Sequence, residues 1–208
     1  MPLVLRVSAD LPDPAVIREA ADLIRQGLVV AYPTDTLYGL AVDPRNAEAV
    51  KRLYALKGRA ESSPLTLIAA DLAHVRAVGE MTPHAERLAE RWWPGPLTIV
   101  VRAHAILAPE TLAGGSTVGV RIPDHAVAVA LARDTGFAIT ATSANRSDAP
   151  AASTADAVAL SLPDVDGIVD AGPVRGGAPS TLVDASQSDV TLVRHGVVPW
   201  DKVLRSLQ

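Results

Sequence analysis

Apolar residues along this chain recur at two spacings. Val16, Ile17, Ala20, Ala21, Leu23 and Ile24 form a helical stripe between Asp13-Pro14, a capping residue followed by a first-turn proline, and the helix-stopping Gly27. A second helix is predicted from Asn46, with Val50, Leu53 and Tyr54 on its apolar side and Gly58 after Lys57 as its stop. Further helices are expected from Thr82-Pro83 to Trp93, from Ala126 to Arg133 behind Asp124, and from Thr154 to Leu160. Between them lie short aliphatic runs with the length of buried strands: 28–32, 65–70, 97–101, 118–122, 137–142, 167–170, 181–184 and 191–194. Alternating helices and strands predict an α/β fold. Because several strand-to-strand links are too short for a crossover helix, the sheet should be open, twisted and mixed, with helices flanking it.

Composition narrows the class. The 208 residues include no cysteine and only seven aromatics, while 49% are hydrophobic, so the core is aliphatic. No linker or repeat divides the chain, and one domain over 1–208 is expected. Without cysteine there is no disulfide framework, zinc–thiolate site or thiol nucleophile, which favours the cytoplasm. The apolar stretch at residues 3–7 is too short for a signal-peptide core, and no run approaches the roughly 20 residues of a membrane helix. A formal charge of −4 argues against a general nucleic-acid binder. Residues 51–100 nevertheless carry a local excess of +2, which includes Lys57 and Arg59 at a helix end.

No dinucleotide-binding or P-loop glycine pattern occurs, nor a G-x-S-x-G elbow, and the five histidines lack ligand spacing. Hydroxyl and arginine residues instead collect at predicted strand ends, where α/β sheets place ligands. Tyr32-Pro33-Thr34-Asp35-Thr36 leaves one strand as a turn. Lys57-Gly58-Arg59 and Ser62-Ser63-Pro64 follow a helix, and a guanidinium beside an ammonium suits a polyphosphate. In Thr117-Val118-Gly119-Val120-Arg121, strand alternation puts Thr117, Gly119 and Arg121 on one side, so a cation sits on a rigid element, ready for a carboxylate. Thr140 to Asn145, Pro179 to Asp184 and Leu192 to Gly196 complete the set.

In that order, the segments YPTDTLYGL, KGR with SPL, WPGPLT, TVGVRIP, TSAN, PSTLVD and VRHG resemble the YrdC/YciO family over residues 14–198. The similarity is to its threonylcarbamoyl-AMP-forming branch. It implies a YrdC-like fold and a nucleotidyl transfer in which L-threonine, bicarbonate or CO2 and ATP give threonylcarbamoyl-adenylate and diphosphate, with Mg2+, for the modification of adenosine 37 in tRNA. Carried over by motif, Arg121 would hold the threonine carboxylate, with Thr36, the Ala141 backbone and Ser180 around it. Lys57 and Arg59 would align the phosphates, and Ser63, Thr117, Ser143, Asn145 and Arg194 would also serve ATP. No acid–base residue and no metal ligand is implied.

A downstream tRNA threonylcarbamoyl-transferase complex would take the product, a weak tRNA contact is expected, and no further domain is expected after residue 208. Three positions depart from common family usage: Ala60 follows the KGR arginine, His195 stands in the terminal motif, and Ile68 stands where some members have His. The VRHG ending is also similar to YciO-type paralogues, while intact KGR and TSAN favour the synthase. Two competing readings are a non-enzymatic RNA-binding module, against which the net charge speaks, and a carbamoyl-adenylate enzyme of hydrogenase maturation, whose zinc-binding cysteines this chain lacks.

Overall fold

Capping chemistry sets the helix boundaries. The Ala15 amide donates to the Asp13 side chain and Pro14 opens α1 (Pro14–Arg25), which buries Ile17, Ala20, Ala21 and Ile24. Asn46 accepts from two amides at the start of α2 (Ala47–Lys57), and Gly58 stops it at φ 60°, a conformation that strains any residue with a Cβ. These positions come from a computed structural model that describes residues 1–58, 63–147 and 149–208. The other helices are α3 (Leu72–Val78), α4 (Pro83–Trp92), α5 (Ala126–Thr135), α6 (Ala155–Ser161) and α7 (Trp200–Arg205). The expected Asp124 cap is not made: His125 occupies the capping position of α5 with no side-chain hydrogen bond.

The strands are β1 (Leu3–Arg6), β2 (Val30–Tyr32), β3 (Gly39–Ala41), β4 (Thr66–Ile68), β5 (Gly79–Glu80), β6 (Leu97–Ala103), β7 (Thr117–Arg121), β8 (Ile139–Thr140), β9 (Thr142–Ser143), β10 (Gly167–Asp170), β11 (Thr181–Asp184) and β12 (Thr191–Arg194). They form two mixed sheets. The first has the order β1-β10-β2-β3-β9, and the second β12-β11-β6-β7-β4-β8, with β5 added to β6. In the first sheet two parallel pairs (β1/β10, β10/β2) are followed by two antiparallel ones, and in the second the parallel pairs β11/β6 and β4/β7 alternate with antiparallel ones.

The run read as a single strand at 137–142 is where the sheets meet. β8 pairs with β4 of the second sheet and β9 with β3 of the first, with Ala141 between them. The Ala141 amide donates to the Thr66 carbonyl at 2.8 Å, while the Thr140 amide donates to the Val42 carbonyl at 3.2 Å. The Thr140 hydroxyl adds two bonds, donating to the Leu40 carbonyl of β3 at 2.8 Å and accepting at 2.9 Å from the amide of Val42, the residue after β3. One short strand thus serves both sheets.

Three apolar clusters cover the sheets. α4 and α7 pack over β4, β6, β7 and β11 around Leu88, Leu97, Ile99 and Val120. α2 and α6 cover β3 through Val50, Leu53 and Val158. α1 and α5 pack together over the joined region, where Ala20, Ala21, Ala128 and Ala132 bring the helices close and Ile24 and Leu131 fill the contact. Each fully buried Leu or Ile contributes about 1.5–3 kcal/mol relative to exposure.

Candidate active site

A cavity of about 400 Å³ opens at the seam between the sheets, within the roughly 300–1,000 Å³ range of small-molecule sites. Six of the residues expected from sequence line it: Thr36, Arg121, Ala141, Ser143, Ser180 and Arg194. Thr36 lies in the turn between β2 and β3, and the others sit at strand ends or junctions. Arg121 is the last residue of β7, Ala141 joins β8 to β9, Ser143 ends β9, Ser180 immediately precedes β11, and Arg194 closes β12.

The lining is a net of hydroxyls with fixed partners. Thr34 organises the β2–β3 turn: its hydroxyl donates to the Leu37 carbonyl at 2.7 Å, accepts from the Thr36 and Leu37 amides, and lies 3.2 Å from the Thr36 hydroxyl. Across the cavity the Ser180 and Thr98 hydroxyls are 2.7 Å apart, and Arg194 donates to the Ser180 carbonyl at 3.0 Å. The Thr66 hydroxyl donates to the Ala141 carbonyl at 3.0 Å. Since the Ala141 amide proton is already given to Thr66, the carbonyl, with a second lone pair, is the part of Ala141 that can meet a ligand donor. The Tyr38 phenol donates to the Gly172 carbonyl, and burial pushes its pKa up to about 12, so it stays a donor at neutral pH. That bond ties the loop before β11 to the opposite wall.

Among the described residues, four more expected from sequence, Lys57, Ser63, Thr117 and Asn145, do not line the cavity. Lys57 is 3% exposed and donates its ammonium to the Ser143 and Asn145 carbonyls, the latter at 2.8 Å. It holds the wall from behind. Asn145 is buried beside it, donating to the Arg146 and Ala149 carbonyls, while its Oδ1 has no partner among the described residues. Ser63 directly precedes Pro64 of the lining, with its carbonyl accepting from Tyr54 at 2.7 Å. Thr117 lies four residues upstream of Arg121. A Cβ on Gly119, between them, would meet the cavity-lining Thr66 and Thr98, so Thr117 continues the same row roughly 13 Å from Arg121, beyond the cavity. Arg59 lies outside the described residues.

Several polar residues complete the site without having been given a role from sequence. Thr34, Thr66 and Thr98 line the cavity, and each stood in or next to a quoted segment, so a search for threonines at strand ends could have found them. Asp35 stood in the first segment, but nothing local marks its role: it pairs with Arg121, 86 positions away.

Fold and site together define a mixed α/β domain whose polar, arginine-bearing cavity suits a small anionic or zwitterionic ligand. Comparison with known proteins gives the lineage. The Sua5/YciO/YrdC model, described as telomere recombination, matches residues 22–196, and the chain belongs to that family. It is 38% identical over 190 residues to a threonylcarbamoyl-AMP synthase of Bacillus subtilis, covering 90% of this chain and 55% of that protein. A threonylcarbamoyl-AMP synthase of Thiobacillus denitrificans is 39% identical over 168 residues, covering 80% of this chain and 89% of that one. The structure of Pyrococcus abyssi Sua5 complexed with L-threonine superimposes with a TM-score of 0.93 at 34% identity, over 98% of this chain and 60% of that one. The chain thus spans little more than half the length of the Bacillus and Pyrococcus proteins.

Proposed function

We propose that this chain joins L-threonine, bicarbonate or CO2, and ATP into threonylcarbamoyl-AMP with release of diphosphate. The observation that carries the reading is the meeting of Arg121, Thr36, Ala141 and Ser180, contributed by four separate segments and both sheets, in one cavity. Support comes from the named synthases and from the threonine complex of the Pyrococcus relative.

Arg121 binds the threonine carboxylate, for which its planar fork of donors is suited. The Ala141 carbonyl and the Thr36 and Ser180 hydroxyls orient the amine and the side-chain hydroxyl. Attack of the neutral amine on CO2 gives N-carboxy-threonine and releases one proton to water, and attack on bicarbonate gives the same product with loss of water. Its carboxylate then attacks the α-phosphorus and diphosphate departs in line. The chain contributes alignment and charge, with Arg194 in the lining for the nucleotide and Arg59, outside the described residues, assigned to the phosphates by its motif alone, and no side chain is needed as acid or base. Ser143, held by Lys57, forms the nucleotide wall beside Asn145.

Mg2+, carried by ATP, would supply charge neutralisation at the phosphates. The described lining offers hydroxyls and guanidiniums, and no group of three or more potential metal-ligating side chains occurs among the described residues. A labile mixed anhydride requires that water be limited at the site. The product passes to a tRNA-modifying transferase, with tRNA touching this chain weakly at most. The reaction belongs in the cytoplasm, and among the described residues no helix is long and apolar enough to cross a membrane.

The test is release of diphosphate with each substrate omitted in turn. Formation only when threonine, bicarbonate and ATP are all present is expected, with Arg121→Ala raising the threonine requirement at least tenfold. Diphosphate release indifferent to threonine would overturn the reading. So would tight, salt-dependent RNA binding without turnover.

A further inference from the structure

Arg121 reaches the cavity already partnered. Its Nη1 donates to Asp35 Oδ1, and the two side chains retain only 7% and 11% of their exposure. Asp35 stands between Thr34 and Thr36, which both line the cavity, yet it is not itself part of the lining. The carboxylate therefore sits behind the guanidinium as a ligand would see it.

The pairing is incomplete in an informative way. An ion pair kept for stability gains most from a bidentate fork that uses both carboxylate oxygens. Here Asp35 Oδ2 is buried and has no hydrogen-bond partner among the described residues. A buried acceptor without a donor is unfavourable, so stability alone gives no reason for the arrangement. It does leave one edge of the guanidinium uncommitted. It also leaves the buried end of the cavity without net charge, since Asp35 cancels Arg121 before any ligand arrives.

We propose that Asp35 is a positioning and specificity residue: it grips one amino group of Arg121, turns the remaining donors toward the ligand carboxylate, and makes the amino-acid end of the site electrically neutral. A neutral end matches a zwitterion, whereas an uncompensated guanidinium would favour an anion of the same shape. The inference rests on the reading of Arg121 as the carboxylate contact.

The experiment compares two ligands of one skeleton, L-threonine and 2,3-dihydroxybutyrate, which lacks the amine and carries a net negative charge. Both affinities are measured calorimetrically for the wild-type chain and for Asp35→Asn, which keeps the size and an acceptor but removes the charge. The expected result is a preference shifted toward 2,3-dihydroxybutyrate by about tenfold or more, the lower range of a charged hydrogen bond. The ratio cancels any loss of active protein. Weakening of both ligands by the same factor, or no change in either, would overturn the proposal. Asp35→Ser repeats the measurement should the Asn variant not fold. Failure of both variants to fold would assign the pair to stability and overturn it too. If wild-type protein binds neither ligand, it is the threonine reading of the site that falls.

Discussion

Replacing Gly196 by Ala tests how the C-terminal motif builds the cavity. A Cβ placed on Gly196 would lie 2.4 Å from the Pro179 carbonyl oxygen, 2.4 Å from the Ser180 carbonyl carbon and 2.4 Å from the Thr181 nitrogen. All three are backbone atoms, so no side-chain rotation relieves the clash, and ordinary van der Waals contact requires about 1 Å more. The segments cannot simply separate. The Val197 amide donates to the Pro179 carbonyl at 3.0 Å, the Thr181 hydroxyl donates to the Val198 carbonyl at 2.7 Å and accepts from its amide at 2.9 Å, and Arg194 donates to the Ser180 carbonyl. Overpacking of a well-packed site costs about 1–3 kcal/mol, and the backbone contacts place this case in the upper half of that range. For a chain of this size about 2 kcal/mol lowers the melting temperature by roughly 4–8 °C. The shift must pass through Ser180, so threonine affinity should fall together with stability. Thermal melts and threonine calorimetry on the same sample check both. A variant that melts like wild type and binds threonine equally would refute the close approach.

Two further outcomes follow from other parts of the site. Lys57→Met should keep the apolar stem but leave the Ser143 and Asn145 carbonyls without their shared donor; a loss of about 2–4 kcal/mol, with weaker ATP binding, is expected from melts and nucleotide titration. Unchanged melting would refute this structural role of Lys57. Burial lowers the pKa of His125, against the opposing charges of Asp35, Asp124 and Asp10. The unfolded chain therefore binds this proton more readily, so its contribution to stability is complete above pH about 6.5 and is lost as pH falls through the folded value. His125→Gln should flatten that part of the melting-temperature profile, and an identical profile would count against the assignment.

Much of this architecture could be read from the chain. Asp13-Pro14, Asn46 with Gly58, and Thr82-Pro83 mark helix ends through bonds made within a few residues, and all three hold. The strands at 167–170, 181–184 and 191–194 follow their apolar runs. Arg121 was visible as a cation fixed on a strand, and its neighbours in the cavity as hydroxyls at strand ends, because alternation along a strand is a local property. Other elements carry no such mark. β1 exposes Leu3 and Val4 and exists through its pairing with β10, more than 160 positions away. β3 has three residues, and α3 and α7 have seven and six, too few for a periodic signal to emerge.

What only the tertiary structure decided is the pairing of distant groups. It divided one expected strand at Ala141 so that two sheets could share it. It turned Lys57 inward to two carbonyls more than 80 positions away, and it set Asp35 behind Arg121. A sequence shows which residues can carry charge and which faces they occupy. Which charge meets which depends on the angle and register of packed elements, and those are fixed only when the apolar faces come together.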